Sequence, residues 1–102
     1  MKPRVGQSLA STVDSTTVIV VRWPDADLDI TCGGAEMVQK GAAVAPAGTP
    51  DPSQMGGTLL GKRYADEVLG VELLCTKAGQ GTLAVGGKPL LQKDARALPA
   101  SD

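Results

Sequence analysis

Apolar positions in this chain fall into short runs of period two, cut by glycine and proline. The most β-prone run is Val18-Ile19-Val20-Val21-Arg22-Trp23, led in by Ser15-Thr16-Thr17 and stopped by Pro24. It is apolar on both faces as far as Arg22, which predicts a central strand covered on both sides. Asp25 to Cys32 then alternates, with Ala26, Leu28, Ile30 and Cys32 on one face and Asp25, Asp27, Asp29 and Thr31 on the other. Such alternation predicts a strand with one wet face. Gly33-Gly34 turns the chain, and Ala35 to Gln39 pairs back as a short hairpin partner.

From Leu69 to Gln92 the pattern predicts a C-terminal three-stranded antiparallel meander. Val71, Leu73 and Cys75 alternate with Glu72 and Thr76, a glycine-rich turn covers Lys77 to Gly81, and Thr82 to Val85 form the next strand. Gly86-Gly87 suits a type I′ hairpin turn, which needs positive φ at both central positions. With Val85 and Lys88 flanking that turn, Ala84 faces Pro89 and Leu83 pairs with Leu90. Proline cannot donate to a ladder, so its strand has to be an edge there. Thr58 to Leu60 reads as a short strand. Lys62 to Val68 is the only candidate for a helical turn, with Tyr64 and Val68 four apart on one face.

The expected organisation is an N-terminal arm or short strand over 1–14, a single β domain over 15–92 and an extended tail over 93–102. Gly41 to Gly57 is a 17-residue loop holding three prolines and four glycines, longer than compact domains usually carry without a reason. The fold class is all-β: a small antiparallel sandwich or partly open barrel of six to eight short strands, with little or no helix. One internal echo, acidic-x-x-Cys, joins Asp29/Cys32 to Glu72/Cys75 at a separation of 43 residues. No similarity flanks it, and chance accounts for it.

Composition changes this picture in one respect. The 102 residues contain one Trp, one Tyr and no Phe, so the core is built from Val, Leu, Ile and Ala. Each aromatic would bury roughly 150–250 Å², and a domain of this size buries only about 60–70% of its unfolded surface. A homo-oligomer or a stable protein partner is the expected source of further burial. The net charge of −1 and pI near 5.3 give nucleic acid or an anionic membrane no basic surface to bind. The first ten residues lack the apolar core of a signal peptide, and no apolar run approaches the ~20 residues of a membrane span. Cytoplasm is the expected location, with both cysteines reduced. The abundance of Ala, Gly and Val suits a bacterial source.

The sequence has no histidine. That removes Ser-His-Asp and Cys-His catalysis, histidine bases and histidine metal ligands together. Cys32 and Cys75 are the candidate metal ligands, for zinc in the first place, with Asp29 or Glu72 as further donors or a second chain completing the set. They also read as reduced core residues, since free cysteine packs as a small hydrophobe, or as a disulfide or a reactive thiol. Asp25, Asp27 and Asp29 open like a calcium loop, but position six is Ile30 where that loop needs glycine. The turn Lys77 to Thr82 lacks the spacing of a phosphate-binding loop. Lys62-Arg63-Tyr64 is a small basic-aromatic cluster. Trp23 reads as a core plug or an interface anchor, and Tyr64 and Leu98 are further interface candidates. The function these features favour is a non-catalytic β-domain acting through protein–protein contact, as an oligomeric structural protein or an accessory subunit of a bacterial assembly. The alternative is a metal-binding module on Cys32 and Cys75.

Overall fold

In the computed structural model, which describes residues 2–41 and 50–93, ten strands follow one another. They are β1 (Ser8–Ala10), β2 (Thr17–Arg22), β3 (Ile30–Cys32), β4 (Ala35–Glu36), β5 (Val38–Gln39), β6 (Arg63–Asp66), β7 (Val71–Lys77), β8 (Leu83–Val85), β9 (Lys88–Pro89) and β10 (Leu91–Lys93). They form two antiparallel sheets, one ordered β10-β6-β7-β2-β1-β5 and the other β4-β3-β8-β9. The chain is all-β, as its patterning predicts, with a single 3₁₀ turn, Pro52–Gln54, among the described residues. No helix among the described residues is long and apolar enough to cross a membrane.

One core lies between the sheets. Leu9, Val18, Val20, Tyr64, Val71, Leu73 and Cys75 come from the larger sheet; Ile30, Cys32, Leu83 and Val85 come from the smaller. Alternation decides which side chains enter, because successive strand residues face opposite ways. In β2, Val18 and Val20 are buried, Ile19 is half-buried and Val21 is 37% exposed. The expectation of cover on both faces is therefore corrected in part: β2 is central in its sheet, but the sandwich has two layers, and the face opposite Val18 and Val20 is covered at Thr17, half-covered at Ile19 and open at Val21.

The strand count exceeds the expected six to eight because two stretches that read as continuous are each divided between the sheets. β4 pairs with β3, whereas β5, one residue later, pairs with β1 in the other sheet. β9 pairs with β8, whereas β10, one residue later, pairs with β6. The residues at the two crossings, Met37 and Leu90, are buried at 0% and 6% exposure, so each crossing is fixed by an apolar side chain in the common core.

The expected meander is also corrected. The hairpin register holds, with Ala84 opposite Pro89, Val85 opposite Lys88, and β9 at the sheet edge that its proline requires. Gly86 and Gly87 have φ of 60° and 82°. However, β7 does not turn back onto β8. It lies between β6 and β2, and the glycine-rich turn carries the chain to the other sheet. Lys62 to Val68 forms β6 and a turn rather than a helical turn, with Tyr64 opposite Leu73 and its hydroxyl accepting from the Leu59 N–H at 2.9 Å. Asp66 closes the turn by accepting from the N–H groups of Val68 and Leu69. Of Asp25 to Cys32 only Ile30–Cys32 is strand. Thr58 makes an isolated bridge to Gly79 in place of the short strand expected there.

These crossings are two copies of one arrangement. Ile30-Thr-Cys-Gly-Gly-Ala-Glu-Met-Val-Gln-Lys40 and Leu83-Ala-Val-Gly-Gly-Lys-Pro-Leu-Leu-Gln-Lys93 lie 53 positions apart (Gly33 to Gly86), each a strand, a Gly-Gly turn, a return strand, a buried crossing residue and an edge strand. Their hydrogen bonds match. Met37 N–H donates to Ile30 O at 2.9 Å as Leu90 N–H does to Leu83 O at 2.8 Å, and Gly33 N–H to Thr82 O at 3.2 Å mirrors Gly86 N–H to Asp29 O at 2.9 Å. Exchanging β1 with β6, β2 with β7, β3 with β8, β4 with β9 and β5 with β10 leaves both strand orders unchanged. The chain is a pseudo-two-fold pair of five-strand halves, with the axis passing between β2 and β7 and between β3 and β8.

Candidate functional site

Two places concentrate chemistry: a polar knot around Asp14, and a groove at the β10 edge. Asp14 precedes β2, and its carboxylate accepts from the Thr16 N–H at 3.1 Å, the Thr16 hydroxyl at 2.9 Å and the Gly81 N–H at 2.7 Å. The Cys32 thiol lies 3.8 Å from the same carboxylate. Partial burial by itself would raise the Asp14 pKa. Hydrogen bonds from the Ser11 hydroxyl, Gly81 and Thr16 outweigh it and hold the carboxyl below its ordinary value.

Cys32 and Cys75 are free thiols at 0% and 1% exposure. Burial pushes both above the ordinary thiol pKa, and the Asp14 charge acts in the same direction. Each is thus held as a neutral, poorly nucleophilic thiol, because the thiolate is the reactive and metal-binding form. Asp29 is exposed on the loop before β3, whereas Glu72 is bound to Lys93 at 2.9 Å and Arg63 at 3.5 Å on the outer face of the larger sheet. Among the described residues no group of three or more Cys, Asp and Glu side chains could hold a metal ion.

The remaining sequence candidates are placed as follows. Asp25, Asp27 and Asp29 are exposed, and Asp25 pairs with Lys2. The amides of the glycine-rich turn are engaged by the protein itself: Gly79 exchanges hydrogen bonds with Thr58, and Gly81 donates to Asp14. A Cβ on Gly79 would stand 2.0 Å from the Thr16 hydroxyl, and one on Gly81 would stand 2.7 Å from the Cys32 sulfur. The glycines allow close packing of the chain crossing, which is the reading their spacing supports in place of an anion site. Trp23 packs partly buried against the core and donates its indole N–H to Ala26 O at 2.9 Å. Tyr64 is 7% exposed and lies in the core. Leu98 lies outside the described residues.

Sequence reasoning missed the groove. It is a depression of about 610 Å³ between β6, the turn after it, the β8–β9 hairpin and β10. Ala65, Val68, Pro89 and Leu91 give it an apolar lining, and Val68 and Leu91 are 88% and 76% exposed. Asp66, Glu67, Lys88 and Lys93 bring both signs of charge to its lining. β10 is the last strand of its sheet, with one neighbour, β6, among the described residues. The signal lay in Leu90-Leu91: two adjacent leucines in extended backbone face opposite ways, so one of them is left outside the core.

No family model matches this chain, and neither a curated protein nor a solved structure is detectably similar to it.

Proposed function

We propose that this protein is a non-catalytic β-sandwich module that works by protein–protein contact, as an oligomer or as an accessory subunit, through the groove at the β10 edge. The observation that carries the reading is the pairing of an edge strand, β10, that has one neighbour among the described residues, with an adjacent apolar depression. Edge strands offer unpaired N–H and C=O groups to another chain, and strand addition combines that backbone bonding with side-chain pockets for specificity. Exposed leucine and valine in such a depression mark an interaction surface rather than a solvent face. The aromatic-poor core supports the same reading, since a small domain gains stability from area buried against a partner.

Native mass spectrometry of the purified protein, without added metal, tests this. The expected result is an integral multiple of the chain mass with no adduct. A single-chain mass carrying a stoichiometric metal that Cys32→Ser removes would overturn the proposal in favour of the metal-binding module. A bare single chain would count against self-association.

A further inference from the structure

We propose that in the free chain the groove is occupied by residues 94–102 of the same chain, which return along β10 toward the Gly86-Gly87 turn and set Leu98 over Leu91. This rests on the protein-contact reading above and adds its regulation: a partner's strand reaches β10 only by displacing this segment.

The pseudo-two-fold carries the inference, because it extends past the strands. After the matched Gln39-Lys40 and Gln92-Lys93, the sequence runs Gly-Ala-Ala-Val-Ala-Pro-Ala-Gly-Thr49 in the first half and Asp-Ala-Arg-Ala-Leu-Pro-Ala-Ser-Asp102 in the second. Both read Gln-Lys-x-Ala-x-x-x-Pro-Ala, at the same separation of 53 positions as the hairpins. In the first half the two ends of this stretch lie among the described residues. It leaves β5 at Lys40, whose N–H donates to Ser8 O at 2.9 Å, and arrives at the Gly33-Gly34 turn, where Asp51 N–H donates to Gly33 O at 2.8 Å. A Cβ on Gly33 would stand 3.6 Å from Pro50 Cβ. That turn is where the β4–β5 stretch begins, so the nine residues 41–49 carry the chain from the end of that stretch back to its start. The same path in the second half leads from Lys93 back to the Gly86-Gly87 turn, past Gln92, Leu91, Pro89 and Lys88, all of which line the groove.

A register follows. Facing residues in an antiparallel return have position numbers with a constant sum. Gly33 facing Pro50, moved 53 positions on in each strand, sets Leu91 against Leu98, Gln92 against Ala97 and Leu90 against Pro99. Each pair is chemically matched. Leu98 covers Leu91, which is 76% exposed, whereas the equivalent Val38, in the half where Pro50 closes the return, is half-buried. Lys40 bonds inward to Ser8, which turns Gln39 outward, so the equivalent Gln92 presents its N–H and C=O to Ala97. Leu90 already gives its N–H to Leu83 O at 2.8 Å, so Pro99, with no N–H to give, interrupts no ladder. The residue before a proline is held extended, as Leu98 requires, and a proline on the new outer edge closes that edge to further strands. Lys93 to Arg96 forms the connection, a four-residue loop of a kind common in hairpins.

Paired cysteines in the full-length protein test the proposal, at a dilution where the chain is single. Directly facing residues of a non-hydrogen-bonded pair have Cα atoms about 4.5 Å apart, within reach of a disulfide, and the native Cys32 and Cys75 are buried. With oxidised glutathione, Leu91→Cys combined with Leu98→Cys is expected to close an intrachain bridge on the order of tenfold faster than Leu91→Cys combined with Ser101→Cys. Chain length alone would hardly separate the two pairs. Hydrogen exchange supplies the second readout: the Gln92 amide is expected to exchange on the order of tenfold more slowly in wild type than in Leu98→Lys or in the chain lacking 94–102. Equal bridging rates, or bridges formed only between chains, would overturn the proposal, as would a Gln92 amide indifferent to both changes. Any of these in a protein that still assembles leaves the protein-contact reading standing. A bridged and protected segment in a protein that stays single at every concentration, whole or truncated, upholds the proposal and overturns the contact reading instead.

Discussion

Asp14 ties together three segments distant in sequence. It stands before β2, takes a hydrogen bond from Gly81 ahead of β8 and lies against Cys32 at the end of β3. Its folded pKa is depressed below the ordinary 3.8, so the stability it contributes is present above the unfolded value and is lost as pH falls through the folded one. Asp14→Asn should therefore cost about 1.5–3 kcal/mol at pH 7, the range for hydrogen bonds to a charged group. It should also flatten the decline in stability below pH about 4, where the wild-type carboxylate protonates. Urea melts at pH 7 and pH 3 for both proteins measure this, and parallel pH curves would sink the assignment. The same knot sets the tolerance of the glycine turn. Gly79→Ala and Gly81→Ala push a methyl against backbone as well as side-chain atoms, at 2.8 Å from Thr16 N and 2.8 Å from Gly33 N respectively. Each should lower stability by about 1–3 kcal/mol, the usual overpacking cost, whereas Gln80→Ala, exposed between them, should change it little. None of this was legible in the sequence. Asp14 and Gly81 are 67 positions apart, and nothing local marks either as a partner.

At the level of elements, the turns were legible and the sheet changes were not. Two glycines between alternating runs announce a type I′ hairpin because few other residues adopt its positive φ, and both hairpins formed where expected. An apolar alternation, however, looks the same whether the next strand returns to its own sheet or crosses to the opposite one. That is why β7 and β8 read as neighbours. Tyr64 misled for a related reason, since residues four apart share a helix face and also a strand face. The two hairpins give a paired test of position against sequence. Asn tolerates the left-handed region, and a Cβ at Gly86 meets nothing within 4 Å, but at Gly33 it would stand 2.8 Å from Val13 Cγ2. Gly86→Asn should be neutral or stabilising by up to about 1 kcal/mol through the unfolded chain. Gly33→Asn, with the same turn geometry, should destabilise by about 1–3 kcal/mol from the clash. Thermal melts of the two variants compare them directly, and equal effects would show that the turn alone governs.

For the whole molecule the pseudo-two-fold has a consequence for cooperativity. Of the eleven positions in the two matched stretches only Gly-Gly and Gln-Lys are identical, so hydropathy rather than identity carries the repeat, and the acidic-x-x-Cys echo, 43 residues apart and out of phase with it, is coincidence. Tandem repeats often unfold unit by unit when each contacts only its neighbours. Here the halves interlock. β2 of the first half lies against β7 of the second, β3 against β8, and the core draws on both. Neither half has a sheet or a core of its own, so unfolding must be one transition. The chain supplies its own reporters: Trp23 and Cys32 in the first half and Cys75 in the second. Trp23 fluorescence, far-UV circular dichroism and the reactivity of each thiol should change at the same urea concentration, as two-state unfolding requires. Val20 and Leu73, which face each other across the axis and are buried, extend the test. Leu73→Ala should cost about 2–5 kcal/mol, a large part of the 5–15 kcal/mol typical of a domain. It should move all the reporters together, those of the first half included. A Cys75 thiol that became reactive before Trp23 changed would mean that the halves separate, and that the shared core is not the basis of their stability.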